Sequence, residues 1–163
     1  MVLKNNNYWF IVFLFVLFAS CDKNRVFDEY KELDGSWSKN DTLHFEFEQN
    51  DTINPYNLFL NIRNNNEYPF NNLFVIVSLK NPENEVKIDT LEYQMANADG
   101  SLMGTGFSDV KESKLWYQEN FVFKKLGKYQ VDIVHALRES REINGLEKVN
   151  GVTEVGFRIE KTK

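Results

Sequence analysis

The stretch Thr42-Leu43-His44-Phe45-Glu46-Phe47-Glu48 has the most regular pattern in the chain, because apolar and polar side chains alternate through all of it. Successive side chains of a β-strand point to opposite faces, so this spacing predicts a strand with Leu43, Phe45 and Phe47 on one face. The polar residues between them would face solvent. A strand with one dry and one wet face is typical of a sheet that covers a core on one side.

The same reading predicts strands along most of the remaining chain. The segments are residues 56–62, 73–79, 86–95, 116–124, 128–136 and 152–160, with an edge strand expected at 26–33. Residues 73–79 are apolar on both faces and are therefore expected at the centre of a sheet. The charged segment 138–150 is expected to form a long loop or a single helical turn. Seven or eight short strands separated by turn signals predict an all-β fold, an antiparallel β-sandwich of the immunoglobulin-like or jelly-roll kind.

The N-terminal residues 1–20 have the organisation of an export signal. A short head with Lys4 precedes an apolar run from Tyr8 to Ala19, and small residues follow it up to Cys21. This run is shorter than the roughly 20 apolar residues that a helix needs to cross a bilayer. Because the signal ends on the only cysteine, we expect cleavage between Ser20 and Cys21 and lipid attachment at Cys21. The other interpretation is an ordinary secretory signal that ends near a cysteine.

The sequence divides into three parts on this reading. Residues 1–20 are the cleaved signal, residues 21–33 the lipidated N-terminus and tether, and residues 34–163 one β-sandwich domain. A formal net charge of −5 provides no basic surface, so nucleic acid is not an expected partner. A single cysteine allows no disulfide, and the core must therefore hold the fold by itself.

No motif in the sequence indicates catalysis. His44 and His135 are isolated within predicted strands, so we expect neither a metal site nor a cofactor. The acidic pairs Glu46/Glu48 and Asp28/Glu29 resemble glycosidase carboxylates only in composition, and on an alternating strand they belong to the wet face. We therefore predict that the protein is not an enzyme and binds no small-molecule ligand.

Aromatic side chains support an alternative interpretation, a carbohydrate-binding lipoprotein. The residues that would form a platform for sugar rings, if exposed, are Trp37, Tyr68, Phe70, Trp116 and Tyr117. Core burial or contact with a partner explains these residues more simply.

Three Asp-Thr-aliphatic triplets, with the threonines at Thr42, Thr52 and Thr90, match the acceptor pattern for O-glycosylation of exported Bacteroidota proteins. Because Asp-Thr also begins strands, glycosylation at these threonines is a hypothesis.

An ordered series of short motifs resembles the GldH family of gliding-motility lipoproteins of Bacteroidota. The motifs are Ile62-Arg63, Tyr68-Pro69, Asn72-Leu73, Asp89-Thr90-Leu91, Gly100, Gly104-Thr105-Gly106, Gly127-Lys128-Tyr129, Ala136-Leu137-Arg138 and 151–160. They extend from about Asp34 to Lys161. The resemblance implies a cell-envelope protein, anchored to a membrane by acyl chains such as palmitate, that is required for gliding and for the linked type IX secretion system.

The resemblance also implies a structural or assembly role without catalytic residues, with other gliding-motility and secretion proteins as partners. We expect Arg63, Tyr68, Arg138 and Arg158 to be polar contacts for such partners, or else to satisfy strand ends. The mixed charges of residues 22–25 lack the acidic cluster of surface-exposed lipoproteins, so we expect the domain to face the periplasm. The sequence leaves open whether the lipid lies in the inner or the outer membrane.

Overall fold

The computed structural model describes residues 22–106, 108–138 and 145–162, so the export signal, Ser20 and Cys21 lie outside the described residues. Within the described part the chain forms ten β-strands. Their bounds are β1 Arg25–Glu32, β2 Ser36–Ser38, β3 Leu43–Gln49, β4 Tyr56–Asn64, β5 Asn72–Lys80, β6 Val86–Gln94, β7 Lys111–Phe121, β8 Gly127–His135, β9 Lys148–Asn150 and β10 Val152–Lys161. No helix in these ranges has the length and apolar character needed to cross a membrane.

The strands build two four-stranded antiparallel sheets that pack face to face. The first sheet has the order β1-β10-β4-β7 and the second the order β3-β8-β5-β6, while β2 and β9 form a separate two-stranded ribbon. Between the long strands the chain repeatedly crosses from one sheet to the other, and only the β5–β6 hairpin stays within a sheet. This is the strand order of a jelly roll. The all-β antiparallel sandwich is thus confirmed, and of the two alternatives the strand order selects the jelly roll.

Alternation along the strands puts the core between the sheets. In β3 the side chains of Leu43, Phe45 and Phe47 are buried and those between them are exposed, as predicted. β5 lies between β8 and β6, which confirms its central position. β4 is buried on both faces because Phe59, on the outer side, is covered by Trp116.

Two parts of the sequence reading need correction or extension. The prediction of a loop or helical turn over 138–150 is wrong at its end, where β9 pairs with β2 and buries Val149. Residues 139–144 of that segment lie outside the described residues. The edge strand expected at 26–33 is confirmed, since β1 pairs with β10. Part of the segment assigned to the tether is therefore a strand of the sandwich.

The sandwich has two distinct ends. The N-terminal end carries the start of β1 and the loops 50–55, 81–85 and 122–126. The ribbon end carries the β2–β9 ribbon, the loop 65–71 and the described residues 95–106 and 108–110. With a rise of about 3.3 Å per residue, a nine-residue strand separates the two ends by roughly 30 Å.

Candidate functional site

The outer face of the first sheet holds two of the four predicted contact residues in ion-pair networks. In register across the sheet, Glu154 of β10, Arg63 of β4 and Glu112 of β7 form one row near the ribbon end. Arg63 donates from Nε to Glu112 Oε2 at 2.6 Å and from Nη1 to Glu154 Oε2 at 2.7 Å. Hydrogen bonds to Glu112 and then to Glu154 raise the pKa of Arg63, which stays charged at any physiological pH.

Arg158 forms the second network on the same face, closer to the N-terminal end. Its Nη1 donates to Asp28 at 2.7 Å, its Nε donates to Glu160 at 2.6 Å, and its Nη2 pairs with Asp22. Burial opposes the charge on Arg158, but the hydrogen bonds with Glu160 and Asp22 outweigh it, so its pKa is raised. Lys114 of β7 also reaches Glu160, at 2.7 Å. This network ties the N-terminal segment to the last strand.

Tyr30 lies between the two networks. Its hydroxyl donates to Glu112 at 3.0 Å and accepts a hydrogen bond from Asn61 at 2.8 Å. Burial, with the hydrogen bond to Glu112, raises the pKa of Tyr30 to about 12. The ring lies across Gly156, where a Cβ atom would come within 2.9 Å of it. Glycine at this position therefore allows the tyrosine to lie flat on the sheet.

The other two predicted contact residues are found at the ribbon end. Tyr68 is only 5% exposed, and its hydroxyl donates to the carbonyl of Asn72 at 2.7 Å. Tyr68 therefore has a structural position and offers little surface to a partner. Arg138 is exposed and forms an isolated bridge with Gly145. The structure thus brings Arg63 and Arg158 to one face but separates them from Tyr68 and Arg138.

The sequence reading did not identify the acidic partners of these arginines. Glu112, Glu154 and Asp22 are separated from them by long stretches of chain and meet them only through strand pairing. The sequence contains only a weak indication of these ion pairs, because charged and apolar residues alternate in β10 as they do on any half-exposed strand.

The five aromatic residues differ in exposure. Trp37, Tyr68 and Tyr117 are buried, as core burial predicts, so these three cannot form part of a platform for sugar rings. The indole of Trp37 contacts His135 edge-on and donates to the carbonyl of Asp41 at 2.9 Å. Phe70 is half-buried. The buried three lie in the sandwich core because a core without disulfides needs large apolar side chains.

Trp116 is the exception, with 52% of its surface exposed on the outer face of the first sheet. Its ring lies 4.4 Å from that of Phe59, centroid to centroid, and Lys114 Nζ lies 4.0 Å from the Phe59 centroid. These residues line a depression of about 450 Å³ together with Asn24, Asn57 and Glu160.

The histidines and acidic pairs are dispersed. His44 is exposed and contacts Asp132 at 2.6 Å, whereas His135 is buried and both its ring nitrogens lack a hydrogen-bond partner. Burial lowers the pKa of His135. Asp28 pairs with Arg158, while its sequence neighbour Glu29 pairs with Lys31. Among the described residues no three acidic, histidine or cysteine side chains are grouped to hold a metal ion.

The three threonines of the Asp-Thr triplets lie in different places. Thr42 is exposed just before β3, and Thr90 is exposed on the edge strand β6. Thr52 is half-buried in the turn between β3 and β4, where Asp51 caps the backbone of Ile53 at 2.8 Å.

The N-terminal segment joins the sandwich directly. The carbonyl of Asn24 accepts a hydrogen bond from the N–H of Lys161 at 2.8 Å, and Asp22 is paired with Arg158. Residues 22–24 are thus the whole connection between β1 and Cys21, the expected lipid site, which itself lies outside the described residues.

The strand order and the charged outer sheet place the protein in the class of small jelly-roll domains. Within that class the chain belongs to the GldH lipoprotein family, whose match covers residues 25–159. As a lipoprotein of this family it is a membrane-anchored protein of the cell envelope.

Two curated relatives cover nearly the whole chain. The gliding motility lipoprotein GldH of Flavobacterium johnsoniae is 56% identical over 90% of this chain and 91% of its own length. A GldH homolog of Christiangramia forsetii is 48% identical over 93% of both chains. Among solved structures, a family GH115 4-O-methyl-alpha-glucuronidase matches 88% of this chain and 18% of its own at 16% identity, with a TM-score of 0.46.

Proposed function

We propose that this chain is a lipid-anchored component of the gliding machinery that acts through protein contacts and not through catalysis. Its likeness to relatives named gliding motility lipoproteins, over nearly the full length, is the observation that supports this function. We extend the proposal to the linked type IX secretion system. The ion-paired Arg63 and Arg158 on the outer face of the first sheet are consistent with a structural role, because their charges are already neutralised within the domain.

The proposed anchor is Cys21. Its thiol sulfur takes the diacylglyceryl group of a phospholipid, which breaks the bond to the phosphate headgroup and releases that headgroup together with the thiol proton. The peptide bond after Ser20 is then hydrolysed, and the new amino group of Cys21 takes an acyl group from a second phospholipid, which leaves as the lysophospholipid. Acyl chains contribute about 0.8 kcal/mol per buried methylene, so one chain binds marginally while two or three anchor the protein stably. The small residues Ala19 and Ser20 allow the peptidase to reach the bond that it cleaves.

The proposed contact surface includes the exposed residue Arg138 and the ribbon end around it. Arg63 and Arg158 support this surface indirectly, because their ion pairs hold the outer face of the first sheet in place, and buried Tyr68 supports the loop from inside. To test this surface, Arg138→Glu at the ribbon end is compared with Arg25→Glu at the N-terminal end, since both arginines are exposed. Copurification with other motility proteins is expected to fall for Arg138→Glu and to persist for Arg25→Glu. Equal recovery with both variants would contradict this surface.

The central experiment uses a deletion strain complemented with the wild type or with Cys21→Ser. Only the wild type is expected to fractionate with membranes, restore spreading colonies and restore the digestion of chitin by chitinases that the type IX system exports. If the serine variant still fractionates with membranes and restores gliding, lipid attachment at Cys21 is not what the protein needs. We propose that the domain faces the periplasm, so digestion of the protein by protease added to intact cells would contradict this orientation.

Exposure of Trp116 supports a second candidate function, glycan binding. An exposed indole beside amide side chains is the usual arrangement for stacking on a sugar ring, and Asn24 and Asn57 lie in the same depression. Binding of the purified protein to insoluble chitin, lost in Trp116→Ala but kept in Tyr68→Phe, would favour this candidate. The absence of any binding by the wild type would argue against it.

A further inference from the structure

The large apolar side chains that remain exposed are concentrated toward the N-terminal end of the sandwich. Among the described residues the exposed large apolar side chains are Val26, Ile53, Val86, Ile88, Trp116, Val122 and Leu126. Ile53 and Leu126, at 84% and 61% exposure, are in the loops that join β3 to β4 and β7 to β8. None of the described residues at the ribbon end belongs to this set, so the distribution over the described part of the chain is one-sided.

Strand pairing shows that these loops lie at the same end as the start of β1. Arg25 at the start of β1 pairs with Glu160, and the adjacent Lys161 pairs with Tyr56, which directly follows the loop containing Ile53. Tyr56 in turn pairs with Phe121, which directly precedes the segment containing Val122 and Leu126. The loop tips and the start of β1, which follows Asp22 by three residues, therefore share one end of the domain.

The connection to the expected lipid site is too short to separate that end from a bilayer. Consecutive Cα atoms are about 3.8 Å apart, so Cys21 lies within one residue of Asp22. Asp22 forms an ion pair with Arg158, and the carbonyl of Asn24 accepts a hydrogen bond from the N–H of Lys161. Acyl chains on Cys21 would therefore bring the N-terminal end of the sandwich to the membrane surface. A long flexible tether would instead let the domain lie away from the bilayer.

The chemistry of this end suits the interface between headgroups and acyl chains. Val86 and Val122 form the walls of a notch of about 240 Å³ over Leu79 and Phe121, so apolar surface continues inward from the loops. Lys124 is exposed beside Leu126, and Lys161 is exposed beside the N-terminal segment. Two carboxylates at this end are already bound within the domain, since Asp51 accepts hydrogen bonds from the Ile53 backbone and the Tyr56 hydroxyl and Glu83 pairs with Lys125. Apolar tips flanked by lysines are typical of proteins that lie on a bilayer, since lysines reach lipid phosphates while apolar residues enter below them.

We infer that the N-terminal end is a membrane-contact face, in which Ile53 and Leu126 insert into the lipid interface beside the acyl chains. The strands of the sandwich are then roughly perpendicular to the membrane plane, and the ribbon end lies roughly 30 Å from the bilayer surface. This inference rests on the proposed lipid attachment at Cys21, and it adds a fixed orientation to that attachment. The exposed residue Arg138 would face away from the bilayer.

The test uses the full-length lipidated chain in vesicles of phosphatidylethanolamine and phosphatidylglycerol. Lipidation consumes the thiol of Cys21, so Ile53→Cys, Leu126→Cys and the control Ala98→Cys each provide one labelling site for an environment-sensitive fluorophore. Ala98 is exposed in the loop after β6 at the ribbon end. We expect labels at positions 53 and 126 to be quenched by spin-labelled lipid and to be several-fold less accessible to aqueous iodide than the label at position 98.

Each other outcome overturns the inference in a distinguishable way. Equal iodide quenching at the three positions would mean that the loops stay in water, although lipid attachment would still stand if the protein floats with the vesicles. Shielding from iodide without quenching by spin-labelled lipid would mean that protein contacts cover the loops. Failure of the wild-type chain to float would overturn both the lipid attachment and the orientation.

Discussion

The guanidinium carbon of Arg63 lies 4.6 Å from the centre of the Tyr30 ring, so the arginine stacks on a residue of the edge strand while its nitrogens bind two carboxylates. Because Tyr30 belongs to β1 and Arg63 to β4, this contact spans β10, which lies between them. It links the strand nearest the expected lipid site to the centre of the first sheet.

Arg63→Ala is expected to destabilise the domain by about 1–2 kcal/mol, since it removes the stacking on Tyr30 and leaves Glu112 and Glu154 without their shared cation. The value is modest because about a third of the side chain is exposed to solvent. Urea denaturation followed by tryptophan fluorescence measures the free energy of unfolding. Arg25→Ala is the control, because Arg25 is exposed and its ion pair with Asp28 is long, at 3.9 Å. This substitution should change the free energy of unfolding by under about 0.5 kcal/mol. Equal effects of the two substitutions would contradict a special role for Arg63.

Gly151→Ala is expected to prevent folding or to cost more than about 3 kcal/mol, because a Cβ atom there would lie 2.2 Å from the backbone nitrogen of Tyr68. Gly35 provides a matched control, since it also has a positive φ, +66° against +81°, but has nothing within 4 Å of its Cβ position. Gly35→Ala should cost only the strain of the left-handed backbone, about 1 kcal/mol. Thermal unfolding of both variants compares the two costs, and similar losses would show that backbone strain and not the close approach controls position 151.

His135→Phe is expected to flatten the dependence of stability on pH. Burial lowers the pKa of His135 below its ordinary value of 6.5. As the pH falls below 6.5, the histidine is therefore protonated in the unfolded chain while it is still neutral in the folded chain. The stability contributed by neutral His135 is therefore present above pH 6.5 and is lost on acidification. Asp41 and Lys39 act on the imidazole in opposite directions and remain in the variant.

Urea denaturation at several pH values between 5.5 and 7.5 measures this effect as the difference in slope between the variant and the wild type. At pH 7.5 the variant should be as stable or up to about 1–3 kcal/mol more stable, because two buried ring nitrogens without partners are removed. Identical slopes in the two proteins would show that His135 is not the titrating group.

O-glycosylation is proposed at the exposed residues Thr42 and Thr90 before the half-buried Thr52. The intact mass of the protein purified from its native host is expected to exceed the lipid and peptide mass by a glycan, and Thr42→Ala or Thr90→Ala should remove a defined part of the excess. Ser38→Ala is the control, because Ser38 ends the ribbon strand β2 and lies outside the Asp-Thr-aliphatic triplets. This substitution should leave the mass of the glycan unchanged. A mass that corresponds only to lipid and peptide would refute the modification.

The local pattern of side chains was sufficient to predict most of the long strands and their inward faces. Leu43, Phe45 and Phe47, and later Val155, Phe157 and Ile159, are buried as their alternation predicts. Alternation is a property of neighbouring residues, and it survives folding because one face of each strand meets the core. The short strands β2 and β9 were missed since three residues carry no periodicity, and their pairing depends on Trp37 entering the core.

The sequence alone determined the all-β class, the inward and outward faces of most of the long strands, and the family to which the chain belongs. Only the tertiary structure decided the jelly-roll order, the pairing of Arg63 with Glu112 and Glu154, and the position of Ile53 and Leu126 at the end of the sandwich where β1 begins. The physical reason is that alternation and motif spacing are local. Which strands become neighbours depends on how two whole sheets bury their apolar faces against each other.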